Sequence, residues 1–197
     1  QRSIIIVMKK LLFIINPKAG VKKNKHFVDD ALEIFEKAGY KVGVKYTKKR
    51  ADGTRIARDY GAKADLIVCM GGDGTLNEVM QGMLEGEIST PLGYIPAGST
   101  NDFANSLGLR TNPKDQAEFI METEAKSLDL GWFNGRYFVY TASAGIFTET
   151  SYSTPQELKN KLGHFAYVLH GIREVFKIRR LKLRIETEDE VYENKYI

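Results

Sequence analysis

The sequence predicts an α/β fold, a parallel sheet covered by helices, that gives way near residue 125 to antiparallel β structure. Three observations carry this reading. Two unbroken apolar runs, Leu11-Leu12-Phe13-Ile14-Ile15 and Leu66-Ile67-Val68-Cys69-Met70, each end in a glycine-containing loop, as strands covered on both faces do. Segments of helical period separate them. Beyond Ala125 two apolar runs flank Asn134-Gly135, and Asn-Gly between two strands is a strong hairpin signal.

In order, the first strand exits into Asn16-Pro17-Lys18-Ala19-Gly20, a loop rich in helix and strand breakers. Phe27, Ala31, Ile34, Phe35 and Ala38 then recur at helical spacing, and Gly39 closes that helix. Val42, Val44 and Tyr46 alternate as a second strand, and a short helix holds Ile56 and Ala57 around 54–60. The third strand, 66–70, runs into Gly71-Gly72-Asp73-Gly74-Thr75. Leu76, Val79, Met80 and Met83 form the next helix face. Leu92, Tyr94 and Ile95 make a short strand before Pro96-Ala97-Gly98-Ser99-Thr100-Asn101-Asp102-Phe103. This alternation predicts a Rossmann-like domain over 8–124 with its loops gathered at the carboxyl ends of the strands.

The remainder, 125–197, reads as the start of an antiparallel β-sandwich. The runs 128–133 and 136–140 flank the Asn-Gly turn. Thr154 as N-cap, Pro155 as first helical residue and Glu157 as third form a capping box. Leu158, Leu162, Phe165, Leu169, Ile172 and Phe176 trace one apolar face of that helix. Leu181, Leu183 and Ile185 alternate as a strand, and Glu188-Asp189-Glu190 is a turn. A few strands and one helix give little core and leave a strand edge unpaired, so this domain is expected to be incomplete.

Composition narrows the classes. The 197 residues allow one domain and part of a second, and 43% hydrophobic content excludes a disordered chain. A net charge of +4 fits an ordinary soluble surface, with a mild bias towards anionic partners as the second reading. Cys69 is the single cysteine, so no internal disulfide forms and a reducing cytoplasm is expected. No apolar stretch reaches the ~20 residues of a bilayer span, and residues 1–7 carry no secretory pattern. Met8-Lys9-Lys10 reads as a start, which makes residues 1–7 an upstream extension or a cloning remnant. His26, His164 and His170 lie on predicted helices without metal spacing. Neither a Gly-x-x-x-x-Gly-Lys-Ser/Thr loop, a protein-kinase motif set nor a nucleophile–base triad is present. Nucleic-acid binding is a poor reading, since the basic residues show no aromatic stacking platform.

The chemistry lies in the loops. Gly71-Gly72-Asp73-Gly74-Thr75-Leu76-Asn77-Glu78 joins a buried strand directly to a helix. Glycines let the backbone approach a ligand, and the unpaired amides and dipole of the helix start favour an anion. Asp73 fits such a loop if a metal ion bridges it to phosphate or if it meets a hydroxyl. An ordinary strand–turn–helix link with a capping Asp is the plain alternative. Asn16 can anchor its turn or bond a ligand, and Lys18 can reach a phosphate. Ser99, Thr100, Asn101 and Asp102 crowd at a helix start, where capping explains one or two of them and a polar site would explain all four.

Asn16-Pro17-x-x-Gly20, Gly71-Gly72-Asp73-Gly74-Thr75-x-Asn77-Glu78 and Pro96-x-Gly98-Ser99-x-Asn101-Asp102-Phe103 occur in this order. Together they resemble the diacylglycerol-kinase catalytic domain, especially bacterial diacylglycerol kinase-like lipid kinases, from about Lys9 to the end. The resemblance implies transfer of the ATP γ-phosphate to a lipid hydroxyl with Mg²⁺, in a cleft between an α/β domain and a β-sandwich. It implies an ATP site from Asn16, Pro17, Lys18, Ala19, Gly20, Thr47, Gly71, Gly72, Asp73, Gly74, Thr75, Leu76, Asn77 and Ser99. Asp73 is the positioning candidate for phosphate and metal, and Asn101 and Asp102 are the substrate-side candidates. The metal ligands stay unassigned, and the general base is expected beyond Ile197. Ser99 stands where the family usually has Thr, which keeps a hydroxyl.

The expected partner is a diacylglycerol-like lipid alcohol. A homodimer, and peripheral contact at the inner surface of the membrane, are among the expectations. Lys159, Lys161, Arg173, Lys177, Arg179 and Arg180 accompany the 154–176 helix face; a core-facing helix with a solvated basic side is preferred to a membrane-lying one. Two readings remain beside the glycerolipid one: a sphingoid-, ceramide- or NAD-type kinase of the same superfamily, and a non-catalytic nucleotide-binding module.

Overall fold

The computed structural model describes residues 8–19, 26–142, 181–187 and 189–196. The chain forms two compact units, Gln1–Thr141 and Ala142–Ile197. In the first, strands β1 (Lys9–Ile15), β2 (Tyr40–Tyr46), β3 (Leu66–Gly71) and β4 (Leu92–Pro96) pair in the order β2-β1-β3-β4, all parallel. The two apolar runs occupy the centre: Leu11 opposes Leu66, Phe13 opposes Val68 and Ile15 opposes Met70. Their side chains are buried on both faces, which is why the sequence shows no alternation there. The edge strand β2 alternates in burial.

Helices α1 (His26–Lys37) and α5 (Pro113–Glu122) cover one face. There Leu11, Phe13, Ile15, Val68 and Met70 meet Val28, Ala31, Phe35 and Ala117. Phe13 and Phe35 stack edge to face at 5.4 Å. Full burial of a side chain this size stabilises by about 1.5–3 kcal/mol. Helices α2 (Asp52–Tyr60), α3 (Asp73–Glu85) and α4 (Asp102–Ser106) lie on the other face, where Leu12, Ile14, Ile67, Cys69 and Tyr94 meet Ile56, Ala57, Leu76, Val79 and Ala104. The connection from β1 to β2 and those from β2 onwards step across the sheet in opposite directions. Right-handed crossovers then put their helices on opposite faces, as found.

Helix α5 is not among the elements read from the sequence. Its signal is punctuation: Asn112 caps it by accepting from the Lys114 amide at 2.9 Å, and Pro113 opens it. Its Gln116 is buried, donating to Tyr94 O at 3.1 Å and accepting from Arg110 N at 3.0 Å. Helix α2 begins at Asp52, two residues before the expected start. The Asn-Gly hairpin forms as β5 (Gly131–Phe133) and β6 (Arg136–Phe138), shorter than the predicted runs, with both turn residues in the left-handed region. Tyr137 N donates to Gln81 Oε1 at 3.2 Å, which ties the hairpin to α3.

In the second unit β7 (Leu181–Glu186) and β8 (Val191–Tyr196) form an antiparallel hairpin whose turn closes by Thr187 N to Glu190 O at 2.8 Å. The predicted helix starting at Thr154 lies outside the described residues.

Helices α2 and α3 touch through backbone. A methyl group at Gly82 would land on the Thr54 carbonyl, 2.8 Å from its carbon. Gly82→Ala is therefore expected to cost about 1–3 kcal/mol, read as a lower urea midpoint; an unchanged midpoint would show that the helices can part freely.

Candidate functional site

Strand order places the site. Between β1 and β3 the chain reverses its direction across the sheet, so the helices leaving these strands turn to opposite faces and open a crevice at their carboxyl ends. The loops that leave all four strands emerge along this edge.

The start of α3 sits in that crevice. Thr75 N and Leu76 N turn back to Gly72 O at 2.9 and 3.1 Å, which leaves the Asp73 and Gly74 amides at the helix mouth. A methyl group at Gly74 would meet nothing within 4 Å. The positive end of the helix dipole and a backbone without side-chain cover suit an anion. Gly71 O accepts from Ala97 N at 2.7 Å and from the Tyr94 hydroxyl at 3.2 Å. Burial first, and then the charge of Asp73, push that hydroxyl far above the ordinary tyrosine range. Cys69 beneath it is raised by burial and by Glu78, so it stays a neutral thiol.

The residues implied by the resemblance fall into three groups. The first builds the walls. Asn16 Nδ2 donates to Thr75 Oγ1 at 2.8 Å, and Asn16 Oδ1 accepts from Lys18 N at 3.0 Å. Ala19 N closes the same turn on Asn16 O at 3.2 Å. Thr47 is buried directly after β2, its amide bonded to Ile15 O at 2.9 Å. Pro17, Lys18, Gly74, Asn77 and Ser99 are exposed around this edge. The second group is engaged in the fold: Leu76 packs in the core, and Asn101 closes its own loop, accepting from Gly98 N at 2.7 Å and donating to Gly98 O at 3.1 Å. Asn101 also adopts the left-handed region. Gly20 lies outside the described residues.

The third group is Asp73 with Asp102. The Asp73 carboxylate accepts from Asp102 N at 3.0 Å and from Phe103 N at 3.2 Å. It caps α4, a different helix from the one it begins. The loop after β4 is thus tied to the loop after β3, and their backbones nearly touch. A methyl group at Gly98 would lie 2.6 Å from Gly72 Cα and 2.7 Å from Asn101 Oδ1. Among the described residues no three His, Cys, Asp or Glu side chains cluster as a ready-made metal site.

Two further carboxylates shape the edge and were absent from the predicted site. Glu78 accepts from Ala51 N at 2.9 Å and Gly53 N at 3.1 Å. Asp52 accepts from Lys48 N at 2.8 Å and Lys49 N at 3.2 Å. Lys48 N, then Lys49 N and Arg55, hold the Asp52 carboxyl below its ordinary range against the opposing effect of burial. Glu78 stood inside the quoted motif, and Asp52 stood just before a helical pattern; their partners are backbone amides, which carry no letter in a sequence.

Comparison with known proteins agrees with this fold. The diacylglycerol kinase catalytic domain family matches residues 10–133. The diacylglycerol kinase of Staphylococcus saprophyticus is 37% identical over 186 residues, 94% of this chain and 61% of its own length. That of Bacillus subtilis is 36% identical over 188 residues, 94% of this chain and 62% of its own length. A crystal structure of a diacylglycerol kinase from Bacillus anthracis superimposes with a TM-score of 0.74 at 31% identity, covering 95% of this chain and 61% of that one. The chain belongs to the diacylglycerol kinase catalytic domain family. It spans about three fifths of the length of the curated relatives it matches.

Two outcomes are expected. Gly98→Ala should lower stability by about 1–3 kcal/mol and speed amide exchange at Asp102 and Phe103; native exchange rates there would show that the two loops need not touch. Asp52→Asn should be less stable than the parent at pH 7. Because the folded carboxyl titrates below the unfolded value of about 3.9, its stabilisation is present above that value and lost as pH falls through the folded one. The two proteins should therefore converge in acid-titrated urea melts, and a gap that persisted below the carboxylate range would contradict the assignment.

Proposed function

We propose that this chain carries the nucleotide site of an ATP-dependent lipid kinase, which transfers the γ-phosphate to the hydroxyl of diacylglycerol or a related lipid alcohol. The observation that carries it is the convergence of the strand-exit loops on the amide mouth of α3, where Asn16 meets Thr75 and Asp73 meets the start of α4. Membership of the family supports the chemistry.

Phosphoryl transfer asks mainly for alignment and for neutralisation of phosphate charge. The amides of Asp73 and Gly74 would hold phosphate oxygens, and Gly74 leaves room for close approach. Lys18 would add a point charge, Thr47 and Ser99 hydroxyls. Mg²⁺ would supply charge neutralisation on the phosphates. It takes most of its ligands from phosphate and water, so a site with few protein ligands fits it. Asp73 keeps a free lone pair on each oxygen beside its two amide bonds, and the exposed Asp102 is its neighbour; these two would hold the ion. An acidic group that takes the lipid proton is assigned to the part of the relatives' length that this chain does not span. Among the described residues no helix is long and apolar enough to cross a membrane.

The test is transfer from γ-labelled ATP to a panel of lipid alcohols in mixed micelles with Mg²⁺, using this chain and a version extended to the relatives' length. Labelled phosphatidic acid from the extended version, lost in Asp73→Ala, is the expected result. Label on a sphingoid base or ceramide would replace the substrate and keep the kinase. No transfer to any lipid alcohol by either version would overturn the reading.

A further inference from the structure

We propose that Glu78 is a positioning residue for nucleotide binding: through the backbone of residues 51–53 it fixes the loop between β2 and α2, and so the place of Thr47. The inference rests on the nucleotide reading of the site above. Glu78 is five residues into α3, away from the helix mouth, and its side chain points at backbone instead of the crevice. Oε1 accepts from Ala51 N and Oε2 from Gly53 N, while Glu78 O accepts from the Thr54 hydroxyl at 3.0 Å. One residue of α3 thereby satisfies two of the open amides at the start of α2.

The grip extends along the loop. Ala51 holds φ 65°, the left-handed region that residues other than glycine rarely adopt, and Glu78 bonds its amide in that conformation. The turn at Ala51 aims the next residue, Asp52, back at Lys48 N and Lys49 N. Thr47 follows β2 immediately and is anchored to Ile15 O. Asp52 N itself donates to Lys49 O at 3.3 Å. Six of the seven amides from Thr47 to Gly53 thus have acceptors although the segment up to Ala51 is neither helix nor strand. Among the described residues Glu78 supplies the only side chain from another element in that set. A glutamine there would keep one acceptor and turn an NH₂ group towards the second amide, so one bond would become a repulsion.

A cap that served stability alone would lower the unfolding midpoint and leave affinity unchanged. The test is calorimetric titration of this chain with ATP, for the parent, Glu78→Gln, Thr47→Ala and the double variant. Glu78→Gln is expected to weaken binding about tenfold, the scale of one displaced contact, and to speed exchange of the 48–53 amides while α1 stays protected. If Glu78 acts through Thr47, the double variant binds no more weakly than the poorer single one. Additive losses, or parent-like affinity in Glu78→Gln, would overturn the proposal with the nucleotide site intact. A parent chain that binds no ATP would instead overturn the nucleotide reading, and this proposal with it. Should Glu78→Gln fail to fold, Asp52→Asn loosens the same loop from its inner side and is expected to weaken ATP binding in the same way; unchanged affinity would contradict the mechanism.

Discussion

The start of α3 has to satisfy polar groups on three other segments at once, and the rest of the site depends on this constraint. Asp73 caps α4, the Thr75 hydroxyl receives Asn16, and Glu78 caps the start of α2. Five residues of helix separate the two carboxylates, about 140° of rotation, so they reach in different directions. One helix thereby fixes the loops after β1, β2 and β4 relative to its own amide mouth. Each of these loops would otherwise be a separate surface excursion with its own freedom.

Such reach requires close packing. The Gly82 backbone lies against Thr54, and Gly72 lies against Gly98. Side chains at these points would hold the elements apart, beyond the length of an aspartate or glutamate. The core sets the same distance from below: Ile56, Ala57, Leu76 and Val79 pack against Leu12, Ile14 and Cys69. Apolar packing brings the helices together, and the carboxylates then fix their order and angle. Amides held on rigid elements in this way would meet an anion without reorganisation.

Much of this was legible in the sequence. Apolar runs without alternation gave the central strands, and the alternating 42–46 segment gave the edge strand. The three motifs named the loops that meet at the sheet's carboxyl edge. Helix α5 was harder to see, because its start is marked by Asn112-Pro113 and its face is short. What the letters could not show was the direction of each polar side chain. Asp73 reads as a ligand-facing acid in a glycine turn, yet both its oxygens serve amides 29 and 30 residues away. Asn101 reads as site-lining, and its amide closes its own loop on Gly98. Backbone acceptors and donors are present at every position, so pairings with them leave no pattern to read.

On the proposed reading these loops form one anion-binding edge organised by α3. The decisive experiment follows the backbone amide resonances of this chain during titration with a non-hydrolysable ATP analogue and Mg²⁺. Amides of Asn16, Thr47, Asp73, Gly74 and Ser99 should shift together with one saturation curve, while those of α1 and α5 on the opposite face stay still. Shifts confined to one loop, or centred on the α1 and α5 face, would contradict it.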